Sequence, residues 1–218
     1  MKLIFGNRKL IEKRAAKLIE KEIHELLKTR KSVVLGSVGG RSVPKVFEHL
    51  KDSKIPWRRV HLFMIDERLV PIESRQSNFN SLNAIHPLLP QKNLHPYNPE
   101  KSVSQYYEEL KQFGGKFDII LLSSGEDGHI ASLFPNHSSI KNTKPGFIEI
   151  SDSPKHPKQR ISASSSLIRK SNLSILLFIG KDKREAYENF ISPEVKIDDC
   201  PAKIVNTIKE SYVLTDTN

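Results

Sequence analysis

Between positions 8 and 30 the apolar residues fall at Leu10, Ile11, Ala15, Leu18, Ile19, Ile23, Leu26 and Leu27. Steps of three and four with charged residues opposite predict one long amphipathic helix. Residues 32–35 form a short β-branched run, read as a strand, which leads into Gly36-Ser-Val-Gly-Gly-Arg41. Ser42 then stands where a helix cap belongs. Pro44 is tolerated in the first turn, and Val46, Phe47 and Leu50 are predicted to face inward. Residues 60–65 form the next strand, stopping at Asp66-Glu67-Arg68, and Ser77 is placed to cap a helix carrying Phe79, Leu82 and Ile85.

Pro87, Pro90, Pro96 and Pro99 mark an irregular connection. A helix over residues 101–113 presents Val103, Tyr106, Leu110 and Phe113 on one side and ends at Gly114-Gly115. The apolar strand 117–122 runs into Ser123-Ser-Gly-Glu-Asp-Gly-His129. Beyond a Pro- and Ser-rich stretch at 151–159 come a buried strand at 173–179, Gly180, a helix at 181–190 and a last short strand at 212–214. Strands alternating with helices, several of them apolar on both faces, predict an α/β fold. It is a mostly parallel, Rossmann-like sheet with helices on both faces. No repeat or linker interrupts it, so residues 1–218 are expected to form a single domain.

Composition narrows the function only a little. Thirty-five Lys and Arg against 25 Asp and Glu give a formal charge of +10, which favours anionic partners. Much of the excess lies on the first helix, interleaved with glutamates and without aromatics, as a solvated face would be; nucleic acid is therefore not expected as a partner. No apolar stretch approaches the ~20 residues of a membrane span, and no secretory signal is visible after Met1. Cys200 is the only cysteine, which excludes an internal disulfide and fits a reducing cytoplasm.

Four strands end in loops carrying Gly, Asp, Arg, His or Lys: residues 36–42, 66–71, 123–129 and 180–183. In an open parallel sheet, ligands bind beyond the carboxyl ends of the strands, so these loops should share one rim. Gly39, Gly40, Arg41 and Ser42 read equally well as a phosphate cradle or as a plain tight turn. Asp66-Glu67-Arg68 sets two carboxylates beside a guanidinium, either in a site or as a surface ion pair. Asp127-Gly128-His129 joins a carboxylate to the one side chain that titrates near neutrality, a pairing suited to activating water. No G-x-S-x-G elbow occurs, and His129 and His137 lack the spacing of a zinc site, so no metal is expected.

These motifs resemble the 6-phosphogluconolactonase family. Asp66-Glu-Arg-Leu-Val-Pro71 with Ser77-Asn78, Gly125-Glu-Asp-Gly-His129 and Ala131-Ser-Leu-Phe-Pro135 carry the likeness. So do Ile150-Ser-Asp-Ser-Pro-Lys155 with Gln159-Arg160, Gly180 with Lys183, and Pro201-Ala202, all in the family's order. The sister glucosamine-6-phosphate deaminases share the fold but typically carry Phe-Asn-Glu-Pro where this chain has Ser132-Leu-Phe-Pro135. The resemblance implies hydrolysis of 6-phospho-D-glucono-1,5-lactone to 6-phosphogluconate in the oxidative pentose phosphate pathway, without metal or cofactor. It further implies His129 as general base, oriented by Asp127 or Asp66. Arg68 would hold the substrate or its oxyanion, and Gly39, Gly40, Arg41, Ser42, Arg160 and Lys183 the 6-phosphate. The expected partner is the small phosphorylated sugar lactone, met by a monomer or weak dimer. A deaminase on the same fold, or a non-catalytic sugar-phosphate binder, are the alternatives.

Overall fold

In the computed structural model, which describes residues 1–217, the chain opens with β1 (Lys2–Phe5), α1 (Arg8–Leu27), β2 (Val33–Ser37), α2 (Val43–Glu48), β3 (Val60–Met64) and β4 (Asp66–Arg68). It continues through α3 (Asn78–Ser81), β5 (Leu94–His95), α4 (Val103–Lys111), β6 (Ile119–Ser123), β7 (Phe147–Ile150) and β8 (Arg160–Ala163). The last elements are α5 (Ser165–Arg169), β9 (Leu173–Phe178), α6 (Arg184–Ile191) and β10 (Glu210–Thr215). Seven strands make one sheet in the order β1-β10-β9-β6-β2-β3-β5, every neighbouring pair parallel. A separate antiparallel sheet has the order β4-β8-β7.

From β2 the chain builds outward through β3 and β5, and from β6 it builds the other way through β9 and β10. The reversal opens a crevice at the carboxyl ends of β2 and β6, where the connections diverge to opposite faces of the sheet. Strands β2, β6 and β9 are buried almost throughout, as a sheet covered on both faces requires. Helix α1 presses Ile11, Ala15, Ile19 and Ile23 onto it, whereas Leu10, expected in that stripe, is 42% exposed. Among the described residues no helix is long and apolar enough to cross a membrane.

The departures from expectation concentrate near the crevice. Strand β2 runs on through Gly36 and Ser37. A Cβ at Gly36 would lie 2.7 Å from the Phe117 ring, so this glycine serves core packing rather than a loop. Asp66, Glu67 and Arg68 do not end β3; Ile65 turns the chain, and these three residues pair with β8, Asp66 opposite Ser162 and Arg68 opposite Arg160. Ser77 caps α3 by accepting from the Asn80 N–H at 3.1 Å, but α3 is a single turn. Ser42 occupies a cap position without making a side-chain cap bond. The last predicted helix starts at Arg184, after a 3-10 turn over Lys181–Lys183.

Candidate active site

The crevice holds a cavity of about 310 Å³. Its floor comes from the end of β6 and the following loop, with Ser123, Ser124, Gly125 and His129. The rest of the lining comes from the β2 loop, the turn after β9, the first residue of α1, and β4 and β8. Nine of the ten residues expected from sequence line it: Gly39, Gly40, Arg41, Ser42, Asp66, Arg68, His129, Arg160 and Lys183. The tenth, Asp127, stands behind His129.

His129 Nδ1 is hydrogen-bonded to Asp127 Oδ1, and the His129 backbone N–H donates to the same oxygen at 3.3 Å. Lys155 Nζ lies 3.4 Å from the other carboxylate oxygen. Burial pushes the Asp127 carboxyl upward, but the His129 hydrogen bond and the charges of His129 and Lys155 outweigh it and hold it well below the usual range. With Nδ1 engaged, Nε2 is the ring nitrogen left for a reacting group. The ring is 15% exposed and packs on Phe134, centroids 4.7 Å apart. Gly125 makes this arrangement possible: its N–H donates to the His129 carbonyl at 2.8 Å. A Cβ there would fall 2.0 Å from the imidazole.

Asp66 does not touch this pair. Its carboxylate accepts from Asn78 Nδ2 at 3.0 Å and from Ser132 Oγ at 2.9 Å, so the carboxylate that orients His129 is Asp127. Nor is Glu67 part of a surface ion pair. It is buried and accepts the backbone N–H groups of Arg68, Asn78 and Phe79 at 2.7, 2.6 and 2.8 Å. That makes it an anchor for the turn into α3. Arg68 donates from Nη1 to the Gln76 carbonyl at 2.7 Å, while its buried Nε has no protein partner.

Arg160 lines the cavity and is also tied to the neighbouring backbone. Its Nε donates to the Pro157 carbonyl at 2.8 Å, and Nη2 donates to the Lys155 and His156 carbonyls at 3.1 and 3.0 Å. The guanidinium lies over Phe134, 5.4 Å from the ring centre. It therefore organises the loop that brings Lys155 to Asp127. Arg41 is mostly exposed and bridges Asp182 at 2.9 Å and Glu126 at 3.5 Å. Lys183 is buried, 3.8 Å from Asp182. Burial lowers its pKa, with Asp182 and Glu126 opposing. The loop backbone runs so close to Asn78 that a Cβ on Gly39 would sit 2.4 Å from its Oδ1.

Sequence reasoning assigned no role to Lys155, Asn78, Ser132 or Arg8. Lys155, Asn78 and Ser132 lie within the motifs that carry the resemblance, but only the fold brings Lys155 to Asp127 and the other two to Asp66. Among the described residues no group of His, Cys, Asp and Glu side chains is arranged to hold a metal ion.

A model of the glucosamine-6-phosphate isomerase/6-phosphogluconolactonase family matches residues 6–214. The chain belongs to this family. Within the family, it is 34% identical over 194 residues to the 6-phosphogluconolactonase of Borreliella burgdorferi, covering 84% of this chain and 83% of that one. Its fold matches the crystal structure of a 6-phosphogluconolactonase from Thermotoga maritima with a TM-score of 0.86, at 24% identity and 99% coverage of both chains. A monomeric glucosamine-6-phosphate deaminase shares the fold at a TM-score of 0.80 and 19% identity, covering 99% of this chain and 97% of that one. The fold alone therefore spans both chemistries.

Proposed function

We propose that this protein hydrolyses 6-phospho-D-glucono-1,5-lactone to 6-phospho-D-gluconate, the lactone-opening step of the oxidative pentose phosphate pathway. The observation that carries this reading is the Lys155–Asp127–His129 relay at the floor of a cation-lined crevice. Likeness to curated lactonases over most of the chain supports it.

In this reading His129 Nε2 removes a proton from water as its oxygen attacks the lactone carbonyl. Asp127 holds the Nδ1–H tautomer and stabilises the imidazolium that forms. The carbonyl oxygen becomes an oxyanion, for which the Arg68 guanidinium at the cavity lining is a donor; such a donor is worth about 10²- to 10³-fold in rate. When the tetrahedral species collapses, the C1–ring oxygen bond breaks. The imidazolium returns its proton to the leaving oxygen, giving the free 5-hydroxyl, and the new acid ionises in water. The 6-phosphate lies against Lys183, Arg41 and the amides of the Gly39–Ser42 loop. Arg160 supports the site through the Lys155 loop. No step needs a cofactor, and residues 1–218 act as one domain on this small substrate, as a monomer or weak dimer in the cytoplasm.

The deaminase reading is less well supported. Its glutamate-bearing run is replaced by Ser132, whose hydroxyl donates to Asp66, and by buried Leu133 and Phe134. To separate the two, the phospholactone is generated in place from glucose 6-phosphate in a chelating buffer, and glucosamine 6-phosphate is assayed in parallel for ammonia. Lactone loss well above the spontaneous rate, without ammonia release, is the expected result. Ammonia release with lactone loss at the blank rate would replace the proposal with the deaminase.

A further inference from the structure

We propose that Arg8 is a phosphate-binding and specificity-determining residue, preset for that task by the buried carboxylate of Glu12. The inference deepens the lactonase reading and rests on it for the identity of the substrate.

Strand β1 is parallel to the rest of the sheet and so delivers the chain to the same carboxyl-end rim as β2, β6 and β9. There the Gly6 N–H donates to the Thr215 carbonyl at 3.3 Å, and the next strand end, Gly180, is tied in by the Asp216 carboxylate, which accepts its N–H at 2.7 Å. Asn7 caps α1 by accepting from the Leu10 N–H at 3.0 Å. The first helical residue, Arg8, consequently borders the cavity beside the turn that carries Lys183.

Its partner is unusual for a helix so rich in exposed charge. Glu12 is only 6% exposed, and a buried carboxylate is costly unless it is paired. One oxygen accepts from Arg8 Nε at 2.9 Å, and the other lies 3.9 Å from His49 Nε2, at the end of α2. Glu12 thus takes hold of Arg8 through Nε, the donor farthest from the tip, and fixes the plane of the guanidinium. The two terminal nitrogens of the fork remain as the matched donors for phosphate oxygens.

The same part of the lining needs such a donor. Arg41 is bound to two carboxylates and Lys183 faces one. A phosphate monoester brings about −1.5 to −2 charges at neutral pH. Arg8 adds a planar two-pronged contact that a lysine cannot supply. It lies within the family match over residues 6–214 but outside the motifs that carry the resemblance, the first of which is Asp66-Glu-Arg-Leu-Val-Pro71.

The test compares wild type with Arg8→Gln, Arg8→Lys and Glu12→Gln. The readouts are kcat and KM for the phospholactone, the kcat/KM ratio of phosphorylated to unphosphorylated 1,5-gluconolactone, and the Kd of 6-phosphogluconate by calorimetry. Loss of a charge-assisted contact predicts that Arg8→Gln raises KM and Kd about 10- to 100-fold, with kcat within about twofold. The phosphate preference falls by the same factor. Arg8→Lys recovers part of the affinity. Glu12→Gln raises KM less than Arg8→Gln does, at unchanged kcat and melting temperature. Unchanged Kd and KM in folded Arg8→Gln would overturn the inference. A wild-type protein that binds 6-phosphogluconate through Arg8 but does not open the lactone would instead overturn the proposed function alone.

Discussion

An alanine at position 125 would carry a methyl carbon 2.0 Å from both Cε1 and Nδ1 of His129, and 2.6 Å from Asp127 Oδ1. Ordinary contact begins near 3.4 Å, so the imidazole must retreat by about 1.4 Å or swing away from Asp127, because the alanine itself has nowhere to go. A misplacement of about 1 Å in a reacting group costs on the order of 10²-fold. Loss of the Asp127 contact also leaves the tautomer undefined. Gly125→Ala should therefore lower kcat about 10²- to 10³-fold. The phosphate wall is built from other loops, so KM should change little. Overpacking of this kind costs about 1–3 kcal/mol, or roughly 2–4 °C of melting temperature per kcal/mol at this chain length, so the variant should still fold. The assay is initial-rate hydrolysis with the spontaneous rate subtracted, alongside a thermal melt. A folded Gly125→Ala protein with kcat within threefold of wild type would show that the His129–Asp127 geometry is not what drives turnover.

Two further predictions concern other parts of the crevice. Because burial lowers the Lys183 pKa, its positive charge is lost at a lower pH than that of an exposed lysine. The Kd of 6-phosphogluconate should therefore begin to rise below the ordinary lysine range as the pH is raised in wild type and stay flatter in Lys183→Arg, which remains charged; calorimetric curves that run parallel would remove Lys183 from the phosphate site. Glu67→Ala should leave the N–H groups of Arg68, Asn78 and Phe79 without their acceptor and destabilise the fold by about 3–5 kcal/mol. A loss below about 1 kcal/mol by chemical denaturation would contradict its role as an anchor.

The central sheet was legible because its strands are apolar on both faces, and Asp127-Gly128-His129 stood out because it follows one of them. The second sheet was not, and the reason is chemical. Asp66–Arg68 has no apolar residue, and Arg160–Ala163 alternates polar and apolar over only four positions, too short a run to stand out as a strand. Strand β1 was overlooked beside the stronger helical pattern that starts three residues later. With it went Arg8, which belongs by composition to a solvated basic face and by position to the cavity. The resemblance gives Arg160 to the 6-phosphate, and nothing in the sequence signals the three backbone carbonyls that its guanidinium also meets. Periodicity reports burial of apolar surface; it carries no signal for a polar residue whose partner arrives from a distant segment.

The most direct measurement is the turnover of His129→Ala beside wild type, on phospholactone formed in place, in a chelating buffer and with the spontaneous opening subtracted. Loss of the base predicts kcat lower by about 10²- to 10⁴-fold with KM close to wild type. A folded His129→Ala protein that still opens the lactone at a near wild-type rate would contradict water activation by His129.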